Sequence, residues 1–145
     1  MPTILLIDDE QAIREMLNAV LSASYECHTA DRAEQAFEFL DYETYDLVIT
    51  DISMPGLGGI EIIKRIKQLH PSTPVIVISG RADEYRESLM DMGVFTCFSK
   101  PFSLGELEDT VAELIATKRF QKPELPPRIN TQSVNAETVG RNYPR

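Results

Sequence analysis

Five short apolar runs, each followed by a stretch of helical periodicity, constrain this chain more than any other feature. They fall at 4–7, 25–29, 47–50, 74–78 and 94–98. Three of them are apolar nearly throughout: Ile4-Leu5-Leu6-Ile7, Leu47-Val48-Ile49 and Val75-Ile76-Val77-Ile78. Strands that read this way, without polar alternation, are buried on both faces. The intervening segments carry one apolar face each. Ile13, Met16, Leu17, Val20 and Leu21 recur at helical spacing, as do Ile62, Ile63, Ile66 and Leu69. Asp31 reads as an N-cap with Glu34 three residues on, followed by Ala33, Ala36, Phe37 and Leu40 facing inward. Tyr85, Leu89 and Met92 mark a fourth helix ending at Gly93. Ser103 with Glu106 forms a capping box for a fifth, with Leu107, Val111, Leu114 and Ile115 inward. Five βα units imply an α/β fold: a parallel sheet with helices on both faces.

From about residue 120 this pattern stops. Pro123, Pro126, Pro127 and Pro144 sit among Asn, Gln, Thr and Ser, so a folded domain over 1–119 and a flexible tail or linker over 120–145 are expected. Charge divides at nearly the same place. Residues 118–145 hold six basic side chains against two acids, a net of +4, while the first 117 carry −13, within a total of −9. An acidic body of that size repels phosphate backbones, so nucleic-acid binding through this domain is not expected. Two cysteines, Cys27 and Cys97, are too few for a disulfide framework or a thiolate metal site. No apolar run suits a membrane helix, and a strand-like segment starting at Thr3 leaves no room for a signal peptide, so a cytoplasmic protein is expected.

Open parallel sheets bind ligands beyond the carboxyl ends of their strands. The residues there are Asp8 and Asp9 after the first run, Asp51 after the third, Ser79 after the fourth and Lys100 after the fifth. Singly, each has an ordinary explanation as a helix cap or surface charge; together on one edge they form a site. Two carboxylates about 4 Å apart repel by roughly 4 kcal/mol at an effective dielectric near 20, so three demand a cation or a proton. Oxygen-only ligation favours a hard ion such as Mg²⁺. An Asp carboxylate can attack phosphorus to form an acyl phosphate, and phosphoryl transfer asks mainly for alignment and charge neutralisation.

With these residues the sequence resembles the receiver domain of two-component response regulators, of the single-domain chemotaxis type, over residues 3 to about 118. The resemblance rests on Asp8-Asp9, Asp51-Ile52-Ser53-Met54-Pro55-Gly56, Ser79-Gly80 and Lys100-Pro101-Phe102, in that order and at these spacings. It implies a doubly wound, flavodoxin-like (βα)5 fold with strand order 2-1-3-4-5. It also implies that Asp51 accepts phosphate from the phosphohistidine of a sensor histidine kinase or phosphotransfer protein. Asp9, Asp51 and the Ser53 backbone carbonyl would bind Mg²⁺, with Asp8 helping mainly through water. Ser79 would be the switch hydroxyl and Lys100 the phosphate partner, with Lys100-Pro101 cis. Phosphorylation and dephosphorylation would be self-catalysed, with no external turnover. Output would pass to an effector protein or a second copy through the face of the fourth helix, fifth strand and fifth helix. Positions 53 and 81 flank the acceptor and would influence the lifetime of the phosphate.

One position departs from the receiver pattern. Where receivers place Tyr or Phe, three residues before the lysine, this chain has Cys97, read as a small buried hydrophobe that leaves no ring to turn inward. His28 and His70 fall away from the site edge and read as strand-flank or surface residues. A haloacid-dehalogenase-like phosphatase would need a second Asp two residues after its nucleophile. Here Ser53 follows Asp51 at that distance and Glu10 follows Asp8. A flavodoxin-type cofactor binder would need a phosphate-cradling loop where two acids stand. A receiver serving only as a docking module would have no use for mutually repelling carboxylates.

Overall fold

The computed structural model describes residues 1–53 and 58–121. The elements run in strict alternation: β1 (Thr3–Ile7), α1 (Gln11–Leu21), β2 (Glu26–Ala30), α2 (Ala33–Tyr42), β3 (Leu47–Thr50), α3 (Gly59–Leu69), β4 (Val75–Ser79), α4 (Ala82–Asp91), β5 (Thr96–Ser99) and α5 (Leu104–Gln121). The strands form one parallel sheet in the order β2-β1-β3-β4-β5, as the resemblance implies. Two compact units divide the chain, Met1–Val111 and Ala112–Arg145. The first contains the whole sheet; the second is helical through Gln121. The expected tail at 120–145 lies, from residue 122 on, outside the described residues, as does the loop at 54–57.

Alternation of Cβ direction along each strand divides the apolar runs between two layers. Leu5, Ile7, Val48, Val75, Val77 and Cys97 face one way, in a cluster with Ala36 and Leu40 of α2, Ile62, Ile63 and Ile66 of α3, and Leu89 of α4. Ile4, Leu6, Leu47, Ile49, Ile76 and Ile78 alternate with them and are equally buried. On that side α1, with Leu17 and Leu21 buried, packs on β1 and β2. Each fully buried aliphatic side chain contributes roughly 1.5–3 kcal/mol of transfer free energy.

Some expected details differ. Met16 and Leu69 lie on the outer fringe of their stripes, Met16 half-buried and Leu69 exposed, because the buried strip of each helix is narrower than the run of apolar residues. Asp31 is not the cap of α2. That place falls to Arg32, which makes no side-chain cap bond. Asp31 instead donates its backbone N–H to Gln35 Oε1 at 3.0 Å and ion-pairs with Arg32. The Ser103 cap holds, with its Oγ accepting from Glu106 N at 3.2 Å. Gly93 closes α4 with φ +94°, a conformation that L side chains rarely adopt.

Both thiols are shielded. Cys97 is buried, and burial raises its pKa; burial lifts the half-exposed Cys27 to about 11. Thiolate is the reactive form, so near pH 8 both should alkylate with iodoacetamide at least about tenfold more slowly than glutathione. Denaturant should remove the difference. Fast labelling of the native protein would contradict the burial.

Candidate phosphoryl-acceptor site

Sheet register builds the site. Ile7 of β1 lies opposite Thr50 of β3, and Ser79 of β4 opposite Ser99 of β5. Pairing continues one residue past these strands: Asp51 N–H donates to Ile7 O at 3.0 Å, Asp8 N–H to Ala30 O at 3.1 Å, and Lys100 N–H to Ser79 O at 3.0 Å. Asp8, Asp51, Ser79 and Lys100 thus leave the sheet at one rim on backbones that are already anchored. The Lys100-Pro101 peptide is cis, as expected from the resemblance.

Carboxylate oxygens of Asp8, Asp9 and Asp51 come within 4.8 Å of one another. Asp8 and Asp51 are buried, each 3 % exposed, while Asp9 is exposed. Backbone N–H groups fix the two buried ones: Glu10 N–H donates to Asp8 Oδ1 at 2.9 Å, and Ser53 N–H to Asp51 Oδ1 at 2.8 Å. The opposite oxygens share one ammonium. Lys100 Nζ lies 3.0 Å from Asp8 Oδ2 and 3.1 Å from Asp51 Oδ2, and it also pairs with Glu10. Burial works against the charged lysine, yet the hydrogen bonds it donates to Glu10, Asp8 and Asp51 outweigh it and hold its pKa above the ordinary lysine value. Burial dominates at Asp8 and pushes its carboxyl up, against the opposing pull of the Glu10 N–H and Lys100.

Every sequence-predicted site residue is therefore in one neighbourhood. Ser79 joins it through Ser53, whose Oγ is 3.0 Å from Ser79 Oγ. His28 and His70 stand apart, as expected. His28 is held by Glu26, Glu43 and Tyr45, and His70 contacts Leu40 O. Three participants were not singled out from sequence. Glu10 extends the acidic pair onto Lys100; its only signal was adjacency to Asp8-Asp9. Arg14, one turn into α1, donates from Nη1 to Asp8 O at 2.7 Å, and nothing in the sequence separates it from an ordinary solvated helix charge. Gly59, at the start of α3, packs directly on the chain after the acceptor. A Cβ there would sit 2.1 Å from Ile52 Cα and 2.8 Å from Asp51 O.

This geometry agrees with the relatives. The response regulator receiver domain family matches residues 4–112. The chain belongs to that family. This receiver is 36 % identical over 118 residues to sporulation initiation phosphotransferase F of Bacillus subtilis, covering 79 % of this chain and 94 % of that one. It is 31 % identical over 137 residues to the DNA-binding transcriptional regulator NtrC of Klebsiella pneumoniae, covering 93 % of this receiver but 29 % of NtrC. Among solved structures it is similar to response regulator protein TrrA of Thermotoga maritima, in complex with Mg²⁺ and BeF, with a TM-score of 0.71 and 35 % identity. That match covers 79 % of this receiver and 99 % of TrrA. No helix among the described residues is long and apolar enough to cross a membrane.

Proposed function

We propose that this receiver takes a phosphoryl group from a histidine kinase or phosphotransfer protein onto Asp51. The observation that carries this reading is the single ammonium of Lys100 held between the buried Asp8 and Asp51 carboxylates at 3.0 and 3.1 Å. Such a cation can follow negative charge from the carboxylate to an arriving phosphoryl oxygen. An Asp51 carboxylate oxygen attacks phosphorus, the P–N bond to the donor imidazole breaks, and the leaving imidazole keeps its electron pair and takes up a proton. Lys100 then neutralises one phosphoryl oxygen, and the Ser79 hydroxyl donates to another. Alignment comes from the sheet, which has fixed the backbones at both sides before any donor arrives.

The donor set also fits a divalent cation. Asp8, Asp9, Asp51 and Glu10 bring four carboxylates against one lysine, every donor is oxygen, and three of the carboxylates converge. Asp9, Asp51 and the Ser53 carbonyl would hold Mg²⁺ directly, with Asp8 through water. When bound, the ion would supply charge neutralisation of the transferring group. The resulting protein is a self-modifying switch without external turnover. It works in the cytoplasm and signals to an effector or second copy across the α4–β5–α5 face, where Met90 and Phe95 are 45 % and 51 % exposed. With Cys97 at the position where receivers carry a ring, the signal reaches that face without ring rotation.

Incubation with acetyl phosphate and Mg²⁺, followed by intact mass, tests the assignment. The wild type should gain one phosphoryl group. Asp51→Asn should gain none, and chelation with EDTA should suppress the gain. Uptake by Asp51→Asn at the wild-type level would place the acceptor elsewhere.

A further inference from the structure

Ser79 is fully buried, at 0 % exposure, whereas Ser53, two residues past Asp51, is exposed. Their Oγ atoms are 3.0 Å apart. Which serine donates follows from their surroundings. Ser79 Oγ already accepts from the Arg81 backbone N–H at 3.1 Å, so what it still has to place is its own proton. A hydroxyl without access to water gives its proton to a protein acceptor, and among the described residues Ser53 Oγ is the acceptor within reach. Ser53, facing solvent, can place its own proton on water.

We infer that Ser53 is a positioning residue whose hydroxyl oxygen holds the Ser79 proton while Asp51 is unphosphorylated. This inference rests on the roles proposed above for Asp51 and Ser79. A phosphoryl group on Asp51 competes with Ser53 for that one proton: Ser79 turns, its bond to Ser53 breaks, and a bond to a phosphoryl oxygen forms. No proton leaves either serine. The same residue senses both ends of the exchange, because its backbone N–H donates to Asp51 Oδ1 at 2.8 Å. Ser53 therefore sets how readily the switch hydroxyl commits, from a position outside the strand that carries it.

Removing the resting acceptor leaves a buried donor unsatisfied in the unphosphorylated form alone, which tips the balance toward the phosphorylated form. Beryllium fluoride with Mg²⁺ serves as the probe of that form. Ser53→Ala should bind it about threefold to tenfold more tightly than wild type, the range of one net hydrogen bond. Ser53→Thr, which keeps the hydroxyl, should bind as wild type does. In the metal-free protein, the Arg81 amide resonance should move in Ser53→Ala and return in Ser53→Thr, a readout independent of the probe. Equal binding by all three forms, or weaker binding by Ser53→Ala, would overturn the inference while leaving Asp51 as the acceptor. Failure of the wild type itself to bind would overturn the Asp51 reading and this inference together.

Discussion

Gly59→Ala should lower stability by at least about 3 kcal/mol, or roughly 10 °C in melting temperature for a chain of this size. A methyl group at that position would stand 2.1 Å from Ile52 Cα and 2.7 Å from Ile52 C. Both obstacles are backbone, so no rotamer change relieves the overlap; either α3 or the segment after Asp51 must move. The second choice displaces the acceptor, and phosphoryl uptake should fall along with stability. Gly58→Ala and Gly80→Ala are the controls, because a Cβ at either meets nothing within 4 Å. Both should stay within about 0.5 kcal/mol of wild type in urea unfolding. A Gly59→Ala variant as stable as Gly58→Ala would show that α3 does not press on the acceptor segment.

Lys100→Met should cost about 2–4 kcal/mol in EDTA, since breaking one partner out of a buried ion pair leaves the other charge uncompensated. Here the abandoned charges are Asp8 and Asp51, whose side chains are 5 % and 4 % exposed, beside Asp9 and Glu10. Two further measurements isolate the cause. Millimolar Mg²⁺ should restore more stability to Lys100→Met than it adds to wild type, because the ion takes over a neutralisation that the lysine otherwise supplies. Asp51→Asn placed in the Lys100→Met background should recover much of the loss, as the remaining carboxylates repel less. Denaturant curves on the three proteins, with and without the metal, decide it. Equal stability of wild type and Lys100→Met in EDTA would mean the carboxylates do not lean on the ammonium.

The sequence made the sheet legible because a parallel strand covered on both faces has no polar side to show. Leu47-Val48-Ile49 and Val75-Ile76-Val77-Ile78 could hardly be anything else. The site was legible for the complementary reason: where such a run ends, polar residues mark the rim, and Asp8, Asp51, Ser79 and Lys100 fall at or within two residues of those ends. What escaped notice depends on neighbours far along the chain. Glu10 and Lys100 are 90 positions apart, and a glutamate opening a helix has many ordinary explanations. Gly58 and Gly59 are indistinguishable by composition, yet only the second has another backbone pressed against its hydrogen. Asp31 and Arg32 compete for one cap, and the local pattern favoured the residue that the chain does not use there.

The outer strand β2 has its own consequence for self-association. It is an edge of the sheet, and it carries the exposed carboxylate of Glu26, 2.9 Å from His28 Nε2, with Glu43 at the other ring nitrogen. A strand arriving from another molecule would have to strip water from this charged rail before any ladder could grow. Amyloid-like stacking is therefore disfavoured on that side of the molecule.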